Sequence, residues 1–209
     1  MSKLHFCRLA ITPILMGVIL VESARAYVVT IAPGTKALFL QVGNGTFTGT
    51  YSGGGTPGNN ATVNQVSVTV PANVLGNGAS QAMTTNSTQT ASPYDNFAFC
   101  TVPAQVYVGG FFRIPSGSST ATLSVTSPAS LANGLGDSIA FNRISWVSGG
   151  SGDAIPTIPS GTFTGATQTL YNFASNTWAE SCLAFNYANT SVVPPGTYTG
   201  RVTYTLSAP

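Results

Sequence analysis

The stretch "TYTGRVTYTLS", residues 197–207, decides the fold class because its side chains alternate without a break. One side of the alternation holds threonines with an arginine and a serine, and the other holds Tyr198, Gly200, Val202, Tyr204 and Leu206. A period of two is typical of a strand with one buried face and one wet face. We therefore predict one long strand over residues 197–207 that lays its apolar face on a core.

The rest of the chain has the same character, since Thr, Ser, Val and Gly are frequent and charged residues make up only 6%. This mixture favours strands and tight turns over exposed helices. Asn-Gly pairs beginning at Asn44, Asn77 and Asn133 suit turns that need positive backbone angles. Short strands with frequent turns predict an all-β fold, an antiparallel immunoglobulin-like β-sandwich. We place strands near residues 36–42, 45–51, 62–70, 97–101, 105–114, 119–126, 139–147, 167–173, 179–187 and 197–207.

Residues 1–26 have the layout of a secretory signal peptide. Lys3 and Arg8 precede an apolar run over residues 9–21, and a small-x-small pattern follows at residues 24–26. The apolar run is short for a bilayer span, which needs about 20 residues. We therefore expect a cleaved leader and a single β-sandwich domain over residues 27–209. The predicted location is secreted, in the periplasm or at the cell surface.

The charges exclude two classes of partner. The chain has seven basic and five acidic residues, of which three basic and one acidic lie in the predicted leader. The remaining chain holds four of each sign and is formally neutral. Because it lacks a basic stripe, we expect no nucleic-acid binding. For the same reason we expect no membrane contact after signal cleavage.

The residue types also limit the chemistry. The sole histidine, His5, lies in the leader, so the mature chain cannot form a Ser-His-Asp triad or a histidine zinc site. A glycosidase needs only two carboxylates, and Glu180 is the candidate we would mutate first. The stretch "GGSGD", residues 149–153, resembles part of a calcium-binding nonapeptide, but Asp153 falls one position early and the repeat is absent. We therefore interpret it as a solvated loop, with calcium binding as the alternative. We therefore predict a non-catalytic protein with no cofactor and no metal.

Two cysteines, Cys100 and Cys182, remain after the leader. An even number of cysteines in an exported chain predicts one disulfide bond. The alternative is a pair of buried free thiols.

The aromatic residues allow two interpretations. They could form a glycan platform, because flat rings stack on the apolar faces of sugars, or they could fill the sandwich core. The residues concerned are Trp146 and Trp178, together with Tyr94, Tyr107, Phe111 and Phe112. In the same region, Gly109 and Gly110 inside a predicted strand indicate a bulge or a close backbone approach.

The leader, the composition, the cysteine pair and the terminal "PPGTYTGRVTYTL", residues 194–206, resemble exported bacterial surface-fibre subunits. These are subunits of the chaperone-usher type, particularly those related to spore coat protein U. Gly196 is fourteenth from the end, where the terminal motif of that family commonly has glycine. The resemblance implies an incomplete sandwich that accepts a strand, first from a periplasmic chaperone and then from a like subunit. The partner strand would engage Gly196, Tyr198, Val202, Tyr204 and Leu206.

The same resemblance makes the N-terminal stretch "YVVTIAPGTKALFLQVG", residues 27–43, a candidate donor strand, with Leu38, Leu40 and Val42 alternating on one face. The alternative is an edge strand of the chain's own sandwich, because Asn44-Gly45 predicts a hairpin onto the next strand. We therefore expect an exported bacterial structural or adhesive subunit of a fimbrium, pilus or other cell-surface layer. The alternative function is a secreted carbohydrate-binding module that uses Trp146 or Trp178.

Overall fold

The computed structural model describes residues 28–49, 55–57, 63–153 and 155–209. The signal-peptide prediction for residues 1–26 lies outside them. Within the described residues the chain forms sixteen strands and two short 3₁₀ helices, Ala72–Val74 and Phe141–Arg143. Neither of these helices is long or apolar enough to cross a membrane.

In chain order the strands are β1 Val28–Thr30, β2 Ala37–Val42, β3 Gly45–Gly49, β4 Gly55–Pro57, β5 Val66–Ser67, β6 Gln81–Ala82, β7 Thr84–Thr85, β8 Val106–Arg113, β9 Thr120–Thr126, β10 Ser130–Ala132, β11 Ser138–Ala140, β12 Ile144–Gly149, β13 Gly161–Thr162, β14 Thr167–Ala174, β15 Thr177–Tyr187 and β16 Thr203–Ser207.

The larger sheet is built around β15. Its strands run in the order β13, β12, β15, β8, β2, β3 and β4, and β1 and β6 also pair with β15. Pairing within it is antiparallel. Strands β8 and β15 are long and rich in apolar residues, because the sheet is covered on both of its faces.

The smaller sheet has the order β14, β9, β16 and is also antiparallel. Ala121, Leu123 and Val125 of its central strand are fully buried, while the alternate positions are polar. They pack in one core with Leu38, Val108 and other inward side chains of the larger sheet. Two antiparallel sheets that enclose one core form a β-sandwich, so the predicted all-β class is confirmed.

Four predicted strands differ from the observed ones, and the C-terminal one is described with the candidate site. In the described part of the predicted strand over residues 62–70, which begins at residue 63, the alternation is real, since Val66, Val68 and Val70 are half-buried and their neighbours are exposed. Only β5 within it pairs with another described strand. Residues 97–101 form no strand and make one isolated bridge, between Ala91 and Ala98. Residues 139–147 are interrupted by the second 3₁₀ helix. Side-chain periodicity reports one buried face, but it cannot report whether a neighbouring strand is present.

Residues 97–101 belong to a third layer outside the two sheets, and this explains why the strand predicted there does not form. Alternate side chains of β15 point away from the core, and Cys182 among them is bonded to Cys100 with a Cα–Cα distance of 5.5 Å. The disulfide holds residues 86–105, here called the covering segment, on the outer face of the larger sheet. The predicted disulfide is therefore confirmed. Phe99 of the covering segment packs edge-on against Tyr107 of β8.

The two glycines of β8 permit a close backbone approach. A Cβ on Gly110 would collide with the Phe39 carbonyl oxygen of β2, and a Cβ on Gly109 would collide with the Tyr107 hydroxyl. The register between β2 and β8 runs through this point without a shift. Of the two predicted explanations, the structure therefore has the close approach and not the bulge.

Candidate functional site

The C-terminal strand forms one edge of the smaller sheet. β16 pairs with β9 on one side, and no described strand pairs with its other side. Leu206 is buried in the core and Tyr204 is half-buried beside it, which raises the pKa of the Tyr204 phenol. Thr203 and Thr205 point to the outer face and are exposed. The strand therefore has one anchored face and one free row of backbone N–H and C=O groups.

The predicted strand over residues 197–207 is too long, because paired β-structure in this region begins at Thr203. Thr199 instead makes an isolated bridge with Ala132, and Tyr198 donates its hydroxyl proton to the Pro194 carbonyl oxygen at 2.9 Å. Gly200 lies against core side chains that leave no room for a Cβ.

Of the five predicted partner-strand residues, β16 therefore contains only Tyr204 and Leu206. Val202 lies just before the strand and packs on the core. Gly196 and Tyr198 lie outside it, so a partner strand that pairs with β16 cannot run along them. The physical reason for this difference is that the segment before β16 runs beside β10 before the chain joins the smaller sheet.

The predicted donor residues lie in the middle of a sheet. Leu38, Leu40 and Val42 belong to β2, which is hydrogen-bonded to β3 on one side and to β8 on the other. Leu38 and Leu40 are buried in the core. These residues cannot be donated to a neighbour without breaking the chain's own larger sheet, so the donor assignment is corrected. The alternative of an edge strand is also corrected, because β2 is central.

A buried carboxyl group lies beneath the covering segment. Glu180 of β15 is only 1% exposed, and its Oε2 accepts hydrogen bonds from Tyr107 Oη at 2.6 Å, Trp178 Nε1 at 2.9 Å and Ser92 Oγ at 2.9 Å. Its Oε1 is buried and has no hydrogen-bond partner among the described residues. Hydrogen bonds to Glu180 Oε2 thus link β8, β15 and the covering segment.

Burial raises the pKa of Glu180 above its ordinary value. The hydrogen bonds from Tyr107, Trp178 and Ser92 lower this pKa in part, and the negative charge of Asp95 raises it further. Burial disfavours the ionised form because Oε1 would then be a buried charge without a donor. Since the carboxyl is sealed from solvent, this geometry suits anchoring of the covering segment.

Four aromatic rings pack together on the outer face, and one of them, Trp178, is hydrogen-bonded to this carboxyl. Phe39 stacks on Phe111 and on Trp178, with ring centroids 5.8 and 5.5 Å apart. Tyr94 of the covering segment leans over Trp178 at 5.6 Å, and Arg113 lies 5.9 Å from the centre of the Phe111 ring. Each of these four rings therefore packs against at least one other ring of the group.

The two predicted platform tryptophans lie on opposite faces of the larger sheet. Trp146 is 4% exposed in the sandwich core, where its ring meets Phe163. Trp178 is 5% exposed in the outer aromatic group. A buried ring cannot offer its face to a sugar, so the platform assignment of these residues is corrected. Tyr94, at 44%, is the ring of the predicted set that solvent reaches most readily.

Phe39 and Ser92 are the residues of this region that the sequence interpretation missed. The sequence did contain a signal for Phe39. The alternation of Leu38, Leu40 and Val42 puts Phe39 on the other face of the strand, which is expected to be polar, so an aromatic residue there is unusual. No local signal points to Ser92, which lies 88 residues from its partner Glu180.

Comparison of the chain with protein-family models, with curated proteins and with solved structures finds no match. The proposals that follow come from the sequence and the geometry of this chain.

Proposed function

We propose that this chain is an exported, non-catalytic structural or adhesive subunit of a bacterial surface layer or fimbria-like fibre. The observation that carries the proposal is the free, uncharged edge of β16. A free edge of this kind pairs readily with a strand from another chain. The leader and the terminal motif support the same proposal through the family resemblance.

Three features of β16 favour pairing with a partner strand. Its sequence, "TYTLS", has no proline and no charge, which are the usual protections of an exposed edge. Its register is set by Leu206, which is anchored in the core. The opposite edge, β14, has a register irregularity between Thr169 and Tyr171, and irregularities of this kind discourage edge pairing. The partner is a periplasmic chaperone or a like subunit.

A pair of lysine variants tests this proposal. Thr205 of β16 and Thr169 of β14 both pair with Ser124 of the central strand, and both are exposed. We expect residues 27–209 to form oligomers as concentration rises, and T205K to shift them to monomer. T169K is the matched control on the opposite edge and should assemble like the parent. The measurement is size-exclusion chromatography with light scattering.

A monomer at every concentration would contradict homotypic assembly, and equal behaviour of both variants would remove β16 as the assembly edge. Circular dichroism and thermal unfolding of both variants exclude misfolding as the cause of any difference.

A second candidate function is carbohydrate binding, favoured by the exposure of Tyr94 next to Trp178. Because Trp178 is buried, the informative substitution is Tyr94→Ala. If a glycan array detects binding, this variant should lose affinity by about fivefold, since one stacked ring contributes about 1 kcal/mol. Binding that survives Tyr94→Ala would remove this ring as the platform.

A further inference from the structure

The covering segment contains a compact turn over residues 91–98, here called the latch turn. Ser92 N donates to Phe97 O at 2.8 Å, and Asn96 N donates to Ser92 O at 2.9 Å. Because these hydrogen bonds lie within the turn, its shape does not depend on the sheet beneath it. The disulfide at Cys100 ties the chain to β15 just beyond the end of the turn.

The latch turn reaches the larger sheet through Ser92 and Tyr94. Ser92 Oγ donates to Glu180 Oε2 at 2.9 Å, and the Tyr94 ring is tilted over Trp178 with the centroids 5.6 Å apart. The other two donors to Oε2, from Tyr107 and Trp178, belong to the sheet itself. Glu180 lies on the outer face of β15, so lifting the latch turn would admit water to the carboxyl without breaking a strand pairing.

The surroundings of Glu180 disfavour a negative charge while the turn is closed. The carboxyl is 1% exposed, and its Oε1 has no partner among the described residues. Tyr107 of β8 and Asp95 of the latch turn are the ionisable groups that act on it. Strands β1 and β2 contain no ionisable side chain, and Arg113 of β8 lies over the Phe111 ring. An ionised Glu180 would therefore be a buried charge near a second negative charge.

We propose that the latch turn is a pH-dependent closure: it lies on the larger sheet while Glu180 is protonated and lifts off, with the sandwich intact, when Glu180 ionises. In the closed turn, burial and the Asp95 charge disfavour the carboxylate. In the open turn, water solvates the carboxylate and removes this penalty. The disulfide at Cys100 keeps the open turn tethered to β15. The proposal is independent of strand addition at β16.

Opening of the latch turn changes what the outer face of the larger sheet presents to solvent. Tyr94 moves away from Trp178, and the rings of Trp178, Phe39 and Phe111 then form an accessible aromatic surface. The ratio of open to closed turns should be constant below pH 4.5, the ordinary pKa of the carboxyl. Above it, the ratio should rise about tenfold per pH unit and become constant again above the raised pKa of the closed state.

The two tryptophan indoles provide a direct test with an internal control. Trp178 Nε1 donates to Glu180 Oε2 beneath the latch turn, and Trp146 Nε1 donates to Pro159 O in the core, each at 2.9 Å. In residues 27–209 labelled with ¹⁵N-tryptophan, hydrogen exchange of both indole N–H groups is measured by NMR between pH 4 and pH 8. After correction for intrinsic exchange, Trp178 should exchange about tenfold faster per pH unit within the rising range, while Trp146 should stay constant.

Three variants assign the pH dependence to Glu180. Glu180→Gln keeps an acceptor oxygen but cannot ionise, so the corrected Trp178 exchange should not change with pH. Asp95→Asn removes a charge and keeps the oxygen that accepts from Phe97 N, so the rise should end at a lower pH. Asp137→Asn is the matched control in the turn between β10 and β11 and should behave like the parent.

An equal rise of both indoles in the parent would show that the whole sandwich opens, and this result would overturn the latch. A corrected Trp178 exchange that does not change with pH in the parent would overturn it as well. These two outcomes need no variant, so they decide the question even if Glu180→Gln does not fold. In a folded Glu180→Gln, as judged by circular dichroism, a retained rise would exclude Glu180 as the group that opens the turn.

Discussion

Replacing both Cys100 and Cys182 with alanine is expected to lower the free energy of unfolding by about 3–5 kcal/mol. The two residues are 82 positions apart, so the disulfide restricts a long loop in the unfolded chain. For a domain of this size the melting temperature should fall by about 6–20 °C. Urea unfolding of the double variant and the oxidised parent measures the difference.

The same substitution should loosen the covering segment before the rest of the sandwich. Cys100 is its one covalent link to β15, and Ser92 and Tyr94 attach it only through a hydrogen bond and a ring contact. Hydrogen exchange in residues 86–105 should therefore rise more than exchange in β9. Ser92→Ala, which removes the hydrogen bond to Glu180 and the one that Ser92 Oγ accepts from the Tyr94 N–H, is the control and should cost about 1–2 kcal/mol. A stability loss below about 1 kcal/mol in the double variant would show that the disulfide is not what holds this layer.

Glu180→Leu is expected to cost about 3–5 kcal/mol, because it leaves the buried donors of Tyr107, Trp178 and Ser92 without an acceptor. Glu180→Gln keeps a carbonyl oxygen at this position and should cost less than half as much. Chemical unfolding at pH 5 measures both variants. Equal losses in the two variants would mean that volume, and not hydrogen bonding, is what the site requires.

Glu180 also predicts the direction of the pH dependence. Its folded pKa lies above the ordinary value of 4.5, so the folded state holds its proton more tightly than the unfolded chain does. This contribution to stability is complete below pH 4.5 and is lost as the pH rises through the folded pKa. Unfolding free energies should therefore fall with rising pH in the parent and change less in Glu180→Gln. Asp95→Asn should reduce the slope, because the Asp95 charge raises the Glu180 pKa.

The strands of the core were the predictable part of the fold. Strands β2, β8, β9 and β15 match their predicted positions to within about two residues, because alternation marks β2 and β9 and long apolar runs mark β8 and β15. The same rule failed for the stretch before β16. Its side chains alternate, but the backbone of Thr199 pairs with Ala132 and not with β9.

The candidate sites were less predictable, since each depends on contacts between distant residues. Trp146 and Trp178 look alike in sequence, but they lie on opposite faces of the larger sheet. Asp153 looks like a solvated turn residue, and the folded loop buries its carboxylate oxygens. Whether a particular atom is buried depends on how the loop packs, and local periodicity of the sequence does not predict that packing.

The sequence by itself determined the all-β class, the disulfide, the neutrality of the chain after residue 26 and the inward positions of Leu38, Leu40 and Leu206. These properties follow from composition and from a period of two, which are local. Only the tertiary structure decided that β2 is central, that β16 is a free edge and that a covering segment seals Glu180. Those properties depend on which strands become neighbours, and this is settled by the packing of residues far apart in the chain.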